Sequence, residues 1–485
     1  MTPTYRSLIA VIGSAVVASC AVGPNYVRPK VDTTAAYKEQ GDWKPSEPSD
    51  ALTRGPWWQI FSDPVLDDLE KQVDVSNQTL KSAEASYFQA RAVLDQARAG
   101  FFPVISATAG RDYSNGATAA QRAAAANGTP SGTTILNSVT ASASWELDVW
   151  GKIRRTVEAN TALAQSSAAA VAAARLSAQG TLAATYFQLR SQDQLETLLA
   201  DTVAAETRSL KIAQDQYNAG VAAKADVLTA ETQLLSSQAL QVNAQVPRAT
   251  LEHAIAVLVG KQPAQLSVAA VPLRTDVPTV PAGVPSTLLE RRPDVAEAER
   301  KVAAANAQIG VAVSAYFPSL SLAASDGYEG NTVSHLFNAA NRVWSFGPSL
   351  AETLFAGGAL RAQTAQARFA HDASVAEYRQ TVLTGFQQVE DEIATLRILE
   401  QQASVETAAV KVAQEAQDLT LNQYKAGTVP YSSVVSAQTA ALSNEEAALT
   451  VLLNRLNASV ALIEALGGGW DAAQLNQPDR GVPSH

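Results

Sequence analysis

Between Gly151 and Tyr217 the chain holds no proline and only one internal glycine, Gly180. Ala, Gln, Leu, Glu and Arg dominate the stretch, all good helix formers. A helix across it would be about 100 Å long at about 1.5 Å per residue, roughly six times the average helix of a globular protein. That length argues against a compact single-core enzyme. The same design returns from Arg361 to Tyr424, where Gly385 is the sole interruption. The two stretches end alike, in Tyr217-Asn-Ala-Gly220 and Tyr424-Lys-Ala-Gly427, 207 positions apart. The same offset relates Gly151 to Gly358, Arg154 to Arg361, Val227 to Val434, Ala230 to Ala437 and Thr232 to Thr439. The sequence carries an internal two-fold repeat.

Ahead of each long stretch the period changes from helical to alternating. In 104–113, Ile105, Ala107 and Ala109 oppose Ser106, Thr108 and Asp112. In 135–149 the odd positions are mostly apolar, Trp145 and Leu147 among them, and the even ones mostly Ser, Thr, Glu or Asp. This is the signature of strands with one apolar and one polar face. The second half repeats it. Leu320, Leu322 and Ala324 oppose Ser319, Ser321 and Ser325, and Trp344, Phe346, Leu350 and Leu354 oppose Ser345, Ser349 and Thr353. Pro348 predicts an irregular fourth strand. Phe101-Phe102-Pro103 and Tyr316-Phe317-Pro318 open the two hairpins. Each hairpin is tall enough to cross an outer membrane, and locally each also fits a flap on a helical protein.

The expected organisation is a signal segment at 1–19, an extended arm at 20–62, a first repeat at 63–260, a linker at 261–286, a second repeat at 287–466 and a tail at 467–485. Within the first repeat we expect one helix from 63 to 100, a hairpin at 103–149, a long helix at 151–217 and a helix at 223–259. Within the second we expect a helix reaching 315, a hairpin at 318–355, a long helix at 358–424 and a helix at 431–466. Ser114 to Gly132 reads as a loop, and Trp43, Trp57 and Trp58 as packing points of the arm.

The start of the chain predicts an address. Arg6, the apolar run from Leu8 to Val17 and the small-residue site Val17-Ala-Ser-Cys20 form a signal segment. The single cysteine ends that site, as a lipidated residue would, and no second cysteine is present for an intramolecular disulfide. Ala21 follows, which favours the outer membrane, and two or three acyl chains would tether the chain. No run of about 18 apolar residues suggests a membrane-crossing helix. A net charge of −10 argues against nucleic acid as a partner.

Four strands cannot close a barrel, and an open edge is forbidden in lipid, so spanning hairpins require oligomers. Two copies supply eight strands and three supply twelve; the Ser/Thr-rich face suits the wider, watery pore of three. The expected fold class is an α+β membrane protein: a trimeric channel-tunnel with a twelve-stranded barrel, four strands per chain, continuous with a long α-helical barrel.

The sequence resembles the TolC-like outer membrane factors of tripartite efflux pumps, nearest the lipidated, OprM-type branch serving RND pumps. The residues that carry the resemblance are Cys20-Ala-Val-Gly-Pro-Asn-Tyr26, Trp57-Trp58 with Phe61-Ser-Asp-Pro64, Glu146-Leu-Asp-x-Trp-Gly-Lys-x-Arg154, Arg291-Arg-Pro-Asp294 and the two Tyr-x-Ala-Gly turns. The resemblance implies a homotrimer in outer membrane lipid, docked to a periplasmic adaptor and an inner-membrane transporter. It also implies closure at the periplasmic helix tips, here 217–226 and 424–433, with docking at Tyr217, Gly220, Val221, Tyr424, Gly427 and Thr428. Asp215, Asp226 and Asp418 are the candidate aperture acids. The bland alternative is that these aspartates solvate helix ends. The second tip departs from a common pattern by carrying no carboxylate in residues 428–436. We expect Tyr217 and Tyr424 to pack inside the tips, and Gly220 and Gly427 to take positive φ.

No catalytic constellation is visible. His253, His335, His371 and His485 are scattered, no phosphate loop is present, and neither a cofactor nor a metal is expected. Glu390-Asp-Glu392 and Glu445-Glu446 read as solvated helix faces or ion pairs. A contrasting reading stays open, a lipid-anchored periplasmic helical scaffold without a pore.

Overall fold

A computed structural model describes residues 21–31, 37–40, 56–114, 134–280 and 291–472. Cys20, the signal segment, Trp43, the loop at 115–132 and most of the tail lie outside the described residues. The helices and strands in chain order are α1 (Pro64–Ser76), α2 (Gln78–Ala99), β1 (Val104–Ser114), β2 (Thr134–Leu147), α3 (Lys152–Asn218), α4 (Lys224–Leu258), α5 (Pro293–Ser314), β3 (Ser319–Gly330), β4 (Arg342–Ala351), α6 (Ala359–Lys425) and α7 (Tyr431–Ala465). They fall into two compact units. One holds the described residues up to Pro29 together with Phe88–Gln165 and Glu299–Glu377; the other holds the rest.

The first unit contains the sheet, four antiparallel strands in the order β1-β2-β3-β4. β4 runs regularly through Pro348, which stands opposite Leu322. It is an edge strand in this chain, where a missing donor costs least. β2 stops at Leu147 because Asp148 turns to cap the next helix. Its carboxylate accepts the amides of Ile153 and Arg154 at 2.8 and 2.9 Å and the Arg154 Nε at 3.0 Å. Gly151 makes that turn at φ +82°. The Trp150 indole closes the junction by donating to the Pro318 carbonyl at 2.8 Å while its ring stacks on Phe317. The segment following residue 20 is held in the same unit. Val22 N–H donates to the Trp150 carbonyl, Arg155 donates to Val22, Gly23 and Asn25, and Asn306 donates to Pro24. The Tyr26 hydroxyl donates to Glu299. Gly23 lies against the backbone of Gly310, so closely that a side chain there would collide.

The second unit owns the main apolar core. Leu66, Leu69 and Val73 of α1 meet Leu182, Tyr186 and Leu189 of α3, Ile255 of α4, Val389 and Ile393 of α6, and Leu456 and Leu462 of α7. Trp57, Trp58 and Phe61 of a 3-10 turn join it. The expected single helix from 63 to 100 is broken at Asn77. The Asn77 amide donates to the Leu258 carbonyl at 2.8 Å, and its oxygen accepts Leu80 N–H at 2.9 Å, so one side chain caps α2 and ties it to the end of α4. The described part of the linker after α4 carries one 3-10 turn, Pro263–Gln265, and its later residues are pinned by side chains. Buried Asp193 accepts Arg190 and Arg248, both at 2.7 Å, and Val271 N–H, while the two arginines donate to the carbonyls of Ala269 and Val268.

Candidate channel wall and helix tips

The strand register sorts the side chains into two faces. Ser106, Ser142, Ser325 and Ser345 stand opposite one another across all four strands. Ser106 and Ser142 share a hydroxyl hydrogen bond of 2.8 Å, as do Ser325 and Ser345. The next level on that face is Thr108, Thr140, Gly327 and Val343. The other face places Ile105, Ala143, Ala324 and Phe346 in register. Ile105 is 76% exposed, Trp344 73%, Phe346 71% and Leu350 69%. β1 is exposed along its whole length, and among the described residues neither outer edge of the sheet has a partner. A sheet bare on both sides, oily on one and hydroxylated on the other, fits lipid on one face and water on the opposite one. The sheet therefore defines a wall of a membrane channel.

At the other candidate site, α3 and α6 each end in the same turn. Val221 N–H donates to Gln216 and Gly220 N–H to Tyr217; Thr428 N–H donates to Gln423 and Gly427 N–H to Tyr424. This pair of bonds needs a left-handed residue at its centre, and Gly220 (φ +74°) and Gly427 (φ +72°) supply it. The tyrosines differ. Tyr424 is buried against Tyr431, with ring centroids 5.1 Å apart, inside a cluster with Ala213, Val227, Ala230 and Val434. Tyr217 is 43% exposed and lies beneath the Lys224 ammonium, contrary to the expectation that both tyrosines pack inward. The reason lies in the repeat: Lys224 occupies the position equivalent to Tyr431, and an ammonium cannot enter an apolar cluster unpaired.

The three candidate acids also separate. Asp226 stands in the first turn of α4; burial, and after it the charge of Asp226, raises the pKa of the Tyr424 phenol. Asp215 is exposed and pairs with Lys211 at 3.4 Å. Asp418 is exposed on α6. Val221 and Thr428 are exposed in their turns. Among the described residues no group of three His, Cys, Asp or Glu side chains is placed to hold a metal.

Residues outside the expected set join the two hairpins. Gln438 of α7 donates to Ser209 of α3 at 3.2 Å, and Gln216 donates to the carbonyls of Tyr424 and Lys425 at 3.4 and 3.3 Å. Glu206, 1% exposed, accepts Gln233 of α4 at 3.0 Å. Burial raises its pKa, against the opposing pull of Ser237 and Gln233. Tyr431 is pushed up to about 12 by burial and by the charges of Glu206 and Tyr424. A signal was present: Glu206, Ser209, Ala213 and Gln216 recur on one helical stripe.

The sequence profile of the family described as "Outer membrane efflux protein" matches residues 69–261 and 284–468, one match for each repeat. The antibiotic efflux pump outer membrane protein ArpC of Pseudomonas putida is 31% identical over 483 residues, covering 97% of this chain and 98% of its own. The toluene efflux pump outer membrane protein TtgC of Pseudomonas putida shows the same identity and coverage. The solved outer-membrane channel OprN superposes with a TM-score of 0.84 at 30% identity, over 93% of this chain and all of OprN. The chain belongs to the outer membrane efflux protein family. It is an efflux channel protein of the outer membrane, built on the internal two-fold repeat.

Proposed function

We propose that three copies of the chain form a passive exit duct, which receives small toxic molecules from a periplasmic adaptor and an inner-membrane transporter and is gated at the helix tips. The observation that carries this reading is the four-stranded sheet with two faces and two open edges. Three such sheets joined edge to edge supply twelve strands and leave no backbone group unpaired in lipid. A second feature supports assembly between chains. Ile398, Val405, Val412 and Leu419 of α6 recur every seven residues and are 57–67% exposed. Leu228, Leu235 and Val242 of α4 repeat at the same interval and are 51–66% exposed. Unpartnered seven-residue stripes are the seams by which helices of different chains join.

The gate rests on the family resemblance and on the tip architecture, with Tyr217, Gly220, Val221, Tyr424, Gly427 and Thr428 as the adaptor-facing turns. Lipidation at Cys20 rests on the sequence of residues 17–20. The relatives' names mention antibiotics and toluene, chemically unlike compounds, and a hydroxyl-lined wall suits such varied cargo. Native mass spectrometry of the detergent-purified protein should give three chains, and planar bilayers should show discrete conductance steps. A monomer that never conducts overturns the proposal. Cys20→Ala should abolish labelling by radioactive palmitate while the protein stays in the membrane fraction, held there by the barrel.

A further inference from the structure

The charges on the oily face of the sheet are gathered toward one end. That face runs from Leu147, Leu320 and Leu350 beside the helices to Arg111, Tyr328 and Arg342 at the far end. Its charged residues, among those described, are Arg111, Asp326 and Arg342. Arg111 is in register with Asn137, ten residues along β2 from Leu147. Ten residues span about 33 Å, or about 25 Å of height at a strand tilt of about 40°. The apolar band of a membrane barrel is about 25 Å tall, so Arg111 emerges at its rim. Arg342 lies one level lower, in register with Tyr328 and through it with Val139. The helices leave the sheet at the opposite end, so in an outer membrane with periplasmic helices this rim meets the outer leaflet.

The rim has the make-up of a headgroup layer. The Arg111 guanidinium lies 5.3 Å from the ring centroid of Tyr113, which is exposed. Phe337 packs edge-on against Tyr328 at 5.4 Å, and Trp344 stands exposed in register with Asp326. Aromatic rings mark the boundary between hydrocarbon and headgroups. Arg342 donates Nε and Nη2 to the two oxygens of Asp326 at 2.9 and 3.1 Å. That pair neutralises Asp326 and uses two of the five guanidinium N–H groups, leaving three. Asp112 and Glu329 fall on the hydroxylated face, and among the described residues no carboxylate pairs with Arg111. Each chain therefore brings one uncompensated positive charge to the oily side of the rim.

Closure by rotation joins unlike edges, β4 of one copy to β1 of the next, and these run antiparallel as the other neighbours do. Arg342 sits on the first of these edges and Arg111 on the second, both on the oily face and one level apart. Each joint thus gathers two guanidiniums above an apolar wall. Facing strands that present like charges repel, and an anion between them turns the repulsion into attraction. We propose that each joint binds the phosphate of an outer-leaflet glycolipid of the lipopolysaccharide type, between Arg342 of one copy and Arg111 of the next. Its acyl chains lie below on Phe346 and Ile105, apolar residues in register on the same two edges. The site rests on the three-copy closure, and one measurement reads both.

Native mass spectrometry of the full-length, detergent-purified protein with added bisphosphorylated lipid A should show three chains carrying up to three lipids, one per joint. Lipid A stripped of its phosphates should be retained about tenfold less. Arg111→Gln should lower retention of the phosphorylated lipid by a similar factor. So should Arg342→Gln combined with Asp326→Asn, which removes the ion pair without leaving a lone carboxylate on the oily face. Equal retention of the two lipids, or variants that hold lipid A as the wild type does, overturns the site and leaves the trimer standing. A preference for phosphatidylglycerol over lipid A contradicts the outer-leaflet assignment. A wild-type mass of one chain removes the closure, and the site with it.

Discussion

Glu70 shows how one carboxyl can set the pH response of a whole unit. It is fully buried on α1, and neither oxygen has a hydrogen-bond partner. Burial, then Asp74 and Glu464, push its pKa up to about 9. Glu464 is itself raised to about 7, chiefly by burial, and its carboxyl fills the space left by the missing side chain of Gly180. The one glycine inside the first long stretch is therefore a seat for an acid from α7, a role that sequence could flag but not explain. Because Glu70 is neutral in the fold and ionised when unfolded, its contribution is fully present below about pH 4.5 and is lost as pH rises toward about 9. Glu70→Gln should raise the stability by a margin that grows from about pH 5 to about pH 9, reaching on the order of a few kcal/mol, and the melting temperature should rise with it. Scanning calorimetry across that range checks it; a margin that shrinks with pH contradicts the assignment.

At the scale of elements, the long helices and the alternating strands were legible because both signals are local. Proline and glycine are absent where α3 and α6 run, and period two persists through each strand. The break at Asn77 was not legible, since its cause is a bond to Leu258, 181 positions away. Asn77→Ala should cost about 1–2 kcal/mol by removing the cap of α2 and its tie to α4, measurable by urea unfolding. The inequality of Tyr217 and Tyr424 could have been read by comparing their partners across the repeat, Lys224 and Tyr431. The seam through Glu206 was harder, because its repeat equivalent is Ala413, so the polar link exists in only one of the two halves. Within the sheet, adjacent residues should respond in opposite ways. Phe346→Lys places an ammonium on the oily face and should cost about 2–4 kcal/mol, seen as loss of heat-modifiable oligomer from outer membranes. Ser345→Lys, on the hydroxylated face, should leave that oligomer in place.

For the whole molecule, the proposed assembly depends on surfaces that a single chain leaves bare. Val405→Asp combined with Val412→Asp puts two charges in the α6 stripe without touching the buried core of either unit. Native mass spectrometry should show the mass falling from three chains to one, while circular dichroism keeps its helical signal. The alternating strands implied oligomers and the repeat implied their internal symmetry, but neither identified which stripe each helix leaves open. That needed coordinates, because apolar residues on α4 and α6 divide between the buried core and the bare edge. The row of four serines has its own consequence once three copies close. It would become a collar of twelve neutral hydroxyls at a single height, able to exchange hydrogen bonds with a passing solute as readily as water does. Such a collar has no preferred bearing and no strong grip. Cargo would slide past it at little cost in desolvation, so selection among solutes would fall to the machinery that loads the duct.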